Sequence, residues 1–107
     1  MNPPEPSPLA ITLCPRPGGG TLVRLVGDLD IAVVDQVEQA LIDARASGPV
    51  LVDLSCLDFM DCTGINLFLR ARRRDPSLRL TPPSPAIRRL FRLGRIIPAY
   101  GLWEDSA

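Results

Sequence analysis

A carboxylate, a thiol and a hydroxyl occupy three consecutive positions at Asp61-Cys62-Thr63, and Gly64 comes next. They precede Ile65-Asn66-Leu67-Phe68-Leu69, in which Ile65, Phe68 and Leu69 share one helical face, so the reactive group stands at a helix start. A helix N-terminus carries roughly half a positive charge and free amide donors, which favour an anion such as a phosphate or a thiolate. The same four residues also serve as a plain cap, with Asp61 or Thr63 as the capping side chain and Gly64 allowing close packing. Cys62 gains nucleophilicity if the helix start depresses its pKa. A phosphatase loop of the C-x5-R type requires arginine at position 68, however, and the residue there is Phe68. A redox sensor or an enzyme using Cys62 therefore stands as the contrasting alternative to a binding role.

The composition removes whole classes of chemistry. The 107 residues contain no histidine, and all twelve basic residues are arginine. An imidazole base, a histidine-containing zinc site, a Walker-type phosphate-binding lysine and a Schiff-base lysine are all excluded. Cys14, Cys56 and Cys62 are odd in number and show no CxxC spacing, so neither a disulfide framework nor a four-thiolate metal site can form within the chain. Reduced thiols in the cytoplasm are the expectation, with no cofactor and no metal. No apolar run approaches the roughly 20 residues of a membrane-spanning helix. Met1-Asn2-Pro3-Pro4 lacks the order of a signal peptide, so a soluble intracellular protein without direct membrane insertion is expected.

The elements that position the reactive group can be read from periodicity. Residues 1–8 hold four prolines and are expected to form a disordered tail, with a single domain over 9–103 and a short tail at 104–107. Leu9–Cys14 and the alternating Thr21–Val26 predict two strands around a turn at Gly18-Gly19-Gly20. Val34, Val37, Leu41 and Ala44 mark one face of a first helix that ends before Gly48-Pro49. The apolar run Val50–Leu54 predicts a strand buried on both faces at the sheet centre. The helix that starts near Cys62 ends at Asp75-Pro76. A short strand at Leu78–Leu80 comes next. Ser84-Pro85 then opens a third helix with Ile87, Leu90 and Phe91 on one stripe and Gly94 at its end. Ile96-Ile97 and Tyr100–Trp103 suggest a last edge strand. The order β-β-α-β-α-β-α predicts a layered α/β fold with a mixed four- to five-stranded sheet.

Three stretches carry a family resemblance. Gly27-Asp28-Leu29-Asp30, then Leu51 through Gly64 (LVDLSCLDFMDCTG), then Ser84 through Phe91 (SPAIRRLF) resemble the signature segments of STAS domains. These are the anti-sigma factor antagonists and the related sulfate-transporter domains. The resemblance runs from about residue 9 to 103, and it implies a protein–protein switch rather than an enzyme. In that family an antagonist captures an anti-sigma factor, a serine kinase of the GHKL ATPase fold, and so releases a sigma factor for transcription.

The kinase inactivates the antagonist by phosphorylating the first hydroxyl residue of an Asp-Ser-Ser/Thr-Gly motif at the start of the second helix. That aligned position is Cys62, which an ordinary serine kinase cannot phosphorylate. Either Thr63 is the acceptor instead, or the protein is an antagonist that the kinase cannot switch off. The resemblance also carries over Asp30 as the aspartate near the phosphoacceptor and Asp61 as the acidic residue before it. Read from the residues alone, Asp30 is equally a helix cap and Asp61 a loop hydrogen-bond acceptor. The implied partner-binding set is Asp28, Asp30, Asp61, Cys62, Thr63 and Gly64. Most antagonists have another helix after the last strand, which this chain has shortened or lacks. Shortened single STAS domains also serve as subunits of phospholipid-transport ABC systems, where a threonine near the same helix start is common and the partner is an ATPase. That is the alternative function.

Charge is segregated along the chain although its total is zero. Residues 28–61 hold eight acidic groups and one arginine, whereas 62–100 hold nine arginines and one aspartate. Solvated faces account for the arginines at the ends of the second and third helices, and nucleic acid is not expected as a partner because no aromatic residues are interleaved with them. Whether the chain acts as a monomer or a homodimer stays open at this level. If the segregation survives in space, steering of a complementary partner is expected, and association slows as salt rises.

Overall fold

Alternation shapes the longest strand. The computed structural model describes residues 9–94 and 102–103. In β2 (Thr21–Leu29), Thr21, Val23, Leu25 and Leu29 are buried while Arg24 and Val26 face out. β1 (Leu9–Pro15) runs antiparallel beside β2 along its whole length, from Leu9 opposite Gly27 to Pro15 opposite Thr21. The other edge of β2 is shared by two parallel strands in succession. β3 (Val50–Asp53) pairs with Thr21–Arg24, and β4 (Leu57–Met60) pairs with Gly27–Leu29. Between them the chain turns through Ser55-Cys56, where the amide of Leu57 donates to the carbonyl of Leu54 at 3.2 Å. β5 (Arg79–Leu80) adds to β3 in parallel, giving the order β1-β2-β3-β5 with β4 on β2. Among the described residues the sheet is thus mixed and five-stranded, within the four to five strands expected.

Among the described residues, three α-helices complete the layer. α1 (Val34–Arg45) buries Val37, Leu41 and Ala44, the stripe read from the sequence. α2 (Cys62–Arg74) buries Gly64, Ile65, Leu67, Phe68 and Ala71 and stops before Pro76. In α3 (Pro85–Leu93), Ser84 accepts from the Ile87 amide as N-cap, Pro85 takes the first turn and Gly94 the C-cap, each as expected. One core joins these faces to Val23, Leu25, Val50, Val52 and Leu80 of the sheet. Leu102 and Trp103 close that core, with the Trp103 ring 6.2 Å from that of Phe91.

Four expectations need correction. A strand, Leu57–Met60, stands where the expected element order has none, because only its end residues are buried and the alternation that marks a strand is missing. A 3₁₀ turn, Ile31–Val33, precedes α1. The most extensively paired strand is β2 rather than Val50–Asp53. Leu51 and Asp53 are only half-buried, since Val50 and Val52 meet the core and the opposite face stays partly open. Lastly, Leu90 is 64% exposed, because Ile87 and Phe91 alone take the inward face of α3. The expected tails at 1–8 and 104–107 and most of the suggested last strand lie outside the described residues. Leu102 and Trp103 themselves form no strand.

Asp53 locks the end of β3. Its carboxylate accepts from the Ser55 amide at 3.0 Å, the Ser55 hydroxyl at 2.6 Å, the Thr81 hydroxyl at 3.2 Å and Arg24 Nε at 3.2 Å. Burial raises the pKa of this group, but the bonds from Ser55, Arg24 and Thr81 together outweigh that and hold it below 3.8. A depressed folded-state pKa stabilises the fold above the unfolded value, and that contribution is lost as the pH falls through the folded one. Asp53→Asn is therefore expected to cost about 1–2 kcal/mol at neutral pH. It should also flatten the loss of stability below about pH 4, the ordinary aspartate value, as measured by urea unfolding at several pH values.

Candidate functional site

Strand ends create the site. Leu29 of β2 and Met60 of β4 are paired in parallel register, so the next residues, Asp30 and Asp61, leave neighbouring strand ends together. Parallel neighbours lie about 4.8 Å apart. Each aspartate caps the helical turn after it. Asp30 Oδ1 accepts from the Ala32 amide at 2.9 Å and starts the 3₁₀ turn. Asp61 Oδ1 accepts from the Thr63 amide at 2.9 Å and starts α2. Ligands of open α/β sheets characteristically bind at such carboxyl ends, where helix amides face solvent.

The three reactive groups of the motif differ in access. Cys62, the first residue of α2, is exposed, and its thiol has no hydrogen bond among the described residues. Thr63 is half-buried, and its hydroxyl donates to the same Asp61 oxygen that its amide uses. The hydroxyl is thus part of the cap. Gly64 is buried where α2 crosses the strand ends. A Cβ there would stand 2.7 Å from Met60 Cγ and 3.0 Å from Leu29 Cδ2, so only glycine lets the helix start approach the paired residues that set Asp30 beside Asp61.

Asp28 is placed by the strand rather than by a cap. It lies within β2, half-buried, opposite Phe59 of β4. The register shifts between Gly27 and Asp28, leaving Asp58 as an extra residue in β4. Gly27 takes φ 115°, a left-handed conformation that glycine adopts without strain, at this bulge. The structure therefore gathers Asp28, Asp30, Asp61, Cys62, Thr63 and Gly64 at one end of the sheet.

Two apolar residues on this end were not foreseen. Ile31, in the turn after Asp30, is 77% exposed, and Phe59, opposite Asp28, is 44% exposed. Phe59 lies inside the recognised motif, but an outward orientation leaves no trace in a four-residue strand without alternation. Charge segregation survives folding only in part, since Glu38 and Asp53 of the acidic segment lie beside arginines. Asp28, Asp30, Asp58 and Asp61 lie on or just after the strand ends that lead to the start of α2, and they form no ion pair among the described residues. At its other end Arg70 and Arg74 reach Glu38 of α1 at 3.5 and 3.6 Å, and Arg45 meets Asp75 at 3.3 Å. The two ends of a 13-residue helix are about 20 Å apart. No group of three or more metal-ligating side chains is found among the described residues, and no helix there is long and apolar enough to cross a membrane.

Known proteins resemble this chain in sequence and fold. A family model described as "Mlab, STAS domain" matches residues 14–96. An anti-sigma-B factor antagonist of Staphylococcus epidermidis is 36% identical over 75 residues, covering 64% of this chain and 69% of that protein. The anti-sigma factor antagonist SpoIIAA in its unphosphorylated form superposes with a TM-score of 0.66 at 25% identity, over 92% of this chain and 89% of that one. An anti-sigma factor antagonist from Mycobacterium paratuberculosis superposes with a TM-score of 0.71 at 19% identity, over 95% and 91% of the two chains. With the family model spanning most of the chain, and with its five-stranded mixed sheet and capped α2 in place, the protein belongs to the STAS domain family.

Proposed function

We propose that the protein is an anti-sigma factor antagonist that binds an anti-sigma factor, a serine kinase of the GHKL fold, and thereby releases a sigma factor. The docking surface is the start of α2 with the end of β2: Asp28, Asp30, Asp61, Cys62, Thr63 and Gly64. Support comes from the antagonists among its relatives and from the acidic, partly apolar end of the sheet, which suits a basic partner surface. The reading is of a binding module acting in the cytoplasm without catalysis of its own.

One observation carries the finer claim. At the aligned phosphoacceptor position stands an exposed cysteine, and the neighbouring hydroxyl, Thr63, is half-buried and bonded to Asp61. Phosphorylating Thr63 would remove that donor and place about −1.5 to −2 charges against Asp61, breaking the α2 cap. The antagonist is therefore one its kinase cannot switch off. Incubation with the cognate kinase and ATP, then intact-mass spectrometry, is expected to return the unmodified chain. Stoichiometric phosphate on Thr63 would overturn this.

A second reading keeps the same surface but gives it another partner, the ATPase subunit of a phospholipid-transport ABC system. Thr63 at the helix start is the observation that favours it. Affinity capture with the purified protein separates the two: an anti-sigma factor recovered in stoichiometric amount supports the first, and an ABC ATPase the second.

A further inference from the structure

A cavity of about 160 Å³ lies between the C-terminal halves of α1 and α2. One face of α1 lines it with Leu41, Ile42 and Arg45. The end of α2 supplies Ala71, Arg74 and the cap residue Asp75, and Leu78 completes the lining. The space exists because Ala71 carries only a methyl group on the face where Leu67, one turn earlier, carries a fully buried isobutyl group. Every lining residue and its sequence neighbours lie within the described residues, and the cavity opens to solvent on one side.

Its walls are apolar and its rim is charged. Leu41, Ala71 and Leu78 are buried, and Ile42 is half-exposed. Water against such walls lacks the polar partners that would hold it, so an apolar group gains by displacing it. On the rim, Arg45 Nε lies 3.3 Å from Asp75, while Arg70 Nε and Arg74 Nη2 lie 3.5 and 3.6 Å from one oxygen of Glu38. Three guanidiniums thus share two carboxylates. The side chains of Asp75 and Glu38 are only 15% and 24% exposed, against 52% for Arg45 and 49% for Arg74. A group entering from solvent therefore meets N–H donors before it meets a carboxylate. Each guanidinium has five donors, more than its carboxylate partner takes up. Arginines in the last turns also offset the partial negative charge of the two helix ends.

Size and charge together select the guest. An apolar cavity of roughly 150 Å³ takes up benzene, so the space here suits a body of about six carbons and is too small for a nucleotide. A cation would face the excess of guanidinium charge, and a neutral molecule would leave the outward donors to water alone. A carboxylate meets them in the two-pronged geometry that arginine favours. We infer that the cavity between α1 and α2 binds a small amphipathic carboxylate, its apolar body between the helices and its acid group held by Arg45 and Arg74. The site stands about 20 Å along α2 from the helix start and uses none of the residues there. Its failure would leave the antagonist reading as it stands.

The test titrates hexanoate at neutral pH into isotopically labelled full-length protein, with hexanol and hexylammonium as probes of the same chain and different head group. Saturable amide shifts centred on residues 41–46 and 71–78 are expected. Hexanoate should bind about fivefold or more tightly than either control, and the Arg45→Gln/Arg74→Gln double variant should abolish that preference. Ile42→Glu, which sets a carboxylate beside the cavity, should weaken hexanoate by about fivefold or more while leaving hexylammonium no weaker. All three positions are exposed, so the variants keep their fold, which their spectra report directly. Absence of saturation, shifts centred on residues 28–31 and 59–64, or equal binding of hexanol would each overturn the inference. So would a preference for hexanoate that survives in the double variant.

Discussion

The Cys62→Ser variant is expected to take up one phosphate per chain from the cognate anti-sigma kinase and ATP, while the parent protein takes up none. The change replaces sulfur with oxygen at an exposed position at the first residue of α2, so stability should move by no more than about 0.5 kcal/mol. The new hydroxyl lies outside the Asp61–Thr63 cap and leaves it intact. Phosphate at a helix start gains from free amides and the dipole, so the modified helix is not undermined. The penalty falls on docking. About −1.5 to −2 charges join Asp28, Asp30, Asp58 and Asp61 on the proposed docking surface, where the group must also be desolvated. A loss of about 100-fold in affinity for the anti-sigma factor is expected, equivalent to about 2.7 kcal/mol. Intact mass and calorimetry read the two halves separately. Equal phosphorylation of parent and variant, mapped to Thr63, would show that the threonine is the acceptor and that the kinase can reach it.

Legibility in the sequence depends on the physical source of each feature. The caps at Ser84 and Asp61, the stops at Pro76 and Gly94 and the α1 stripe are local effects of side-chain chemistry, and they stand where composition places them. The short strand β4 is not local. It forms because β3 turns away at Ser55-Cys56 and vacates the edge of β2, an event set by the Asp53 cluster and by the bulge at Gly27. Leu90 shows the same limit from another side. Its spacing from Ile87 and Phe91 suits a single stripe, but the surface presented to α3 has room for two residues of that stripe and not the third.

The site divides in the same way. The identities of Asp30, Asp61, Cys62 and Thr63 could be read as a motif. Their juxtaposition needs the Leu29–Met60 pairing across 31 positions of sequence, which no local pattern encodes. Gly64 links the two levels, being legible as a small residue after a cap and explicable once Met60 and Leu29 are seen against it.

Placing charge on the apolar pair at this end should have the largest effect on binding. Ile31 and Phe59 flank the carboxylates, and neither side chain is needed in the core, as their exposures of 77% and 44% show. Exposed aromatic and aliphatic groups at an interface centre, ringed by charge, are where binding energy concentrates, with truncations costing about 2 kcal/mol or more. Carboxylates alone steer the encounter, and their contribution fades with salt. If Ile31 and Phe59 are the anchors, an Ile31→Asp/Phe59→Asp variant should lose about 100-fold or more in affinity for the anti-sigma factor. That loss should persist as ionic strength is raised, because it comes from buried apolar area and a desolvated charge. Replacing Asp28 and Asp58 with asparagine should instead slow association mainly at low salt. Surface plasmon resonance across salt concentrations distinguishes the two patterns, and unchanged urea midpoints would confirm that the fold is intact. A double-aspartate variant that binds as tightly as the parent would move the interface away from the start of α2.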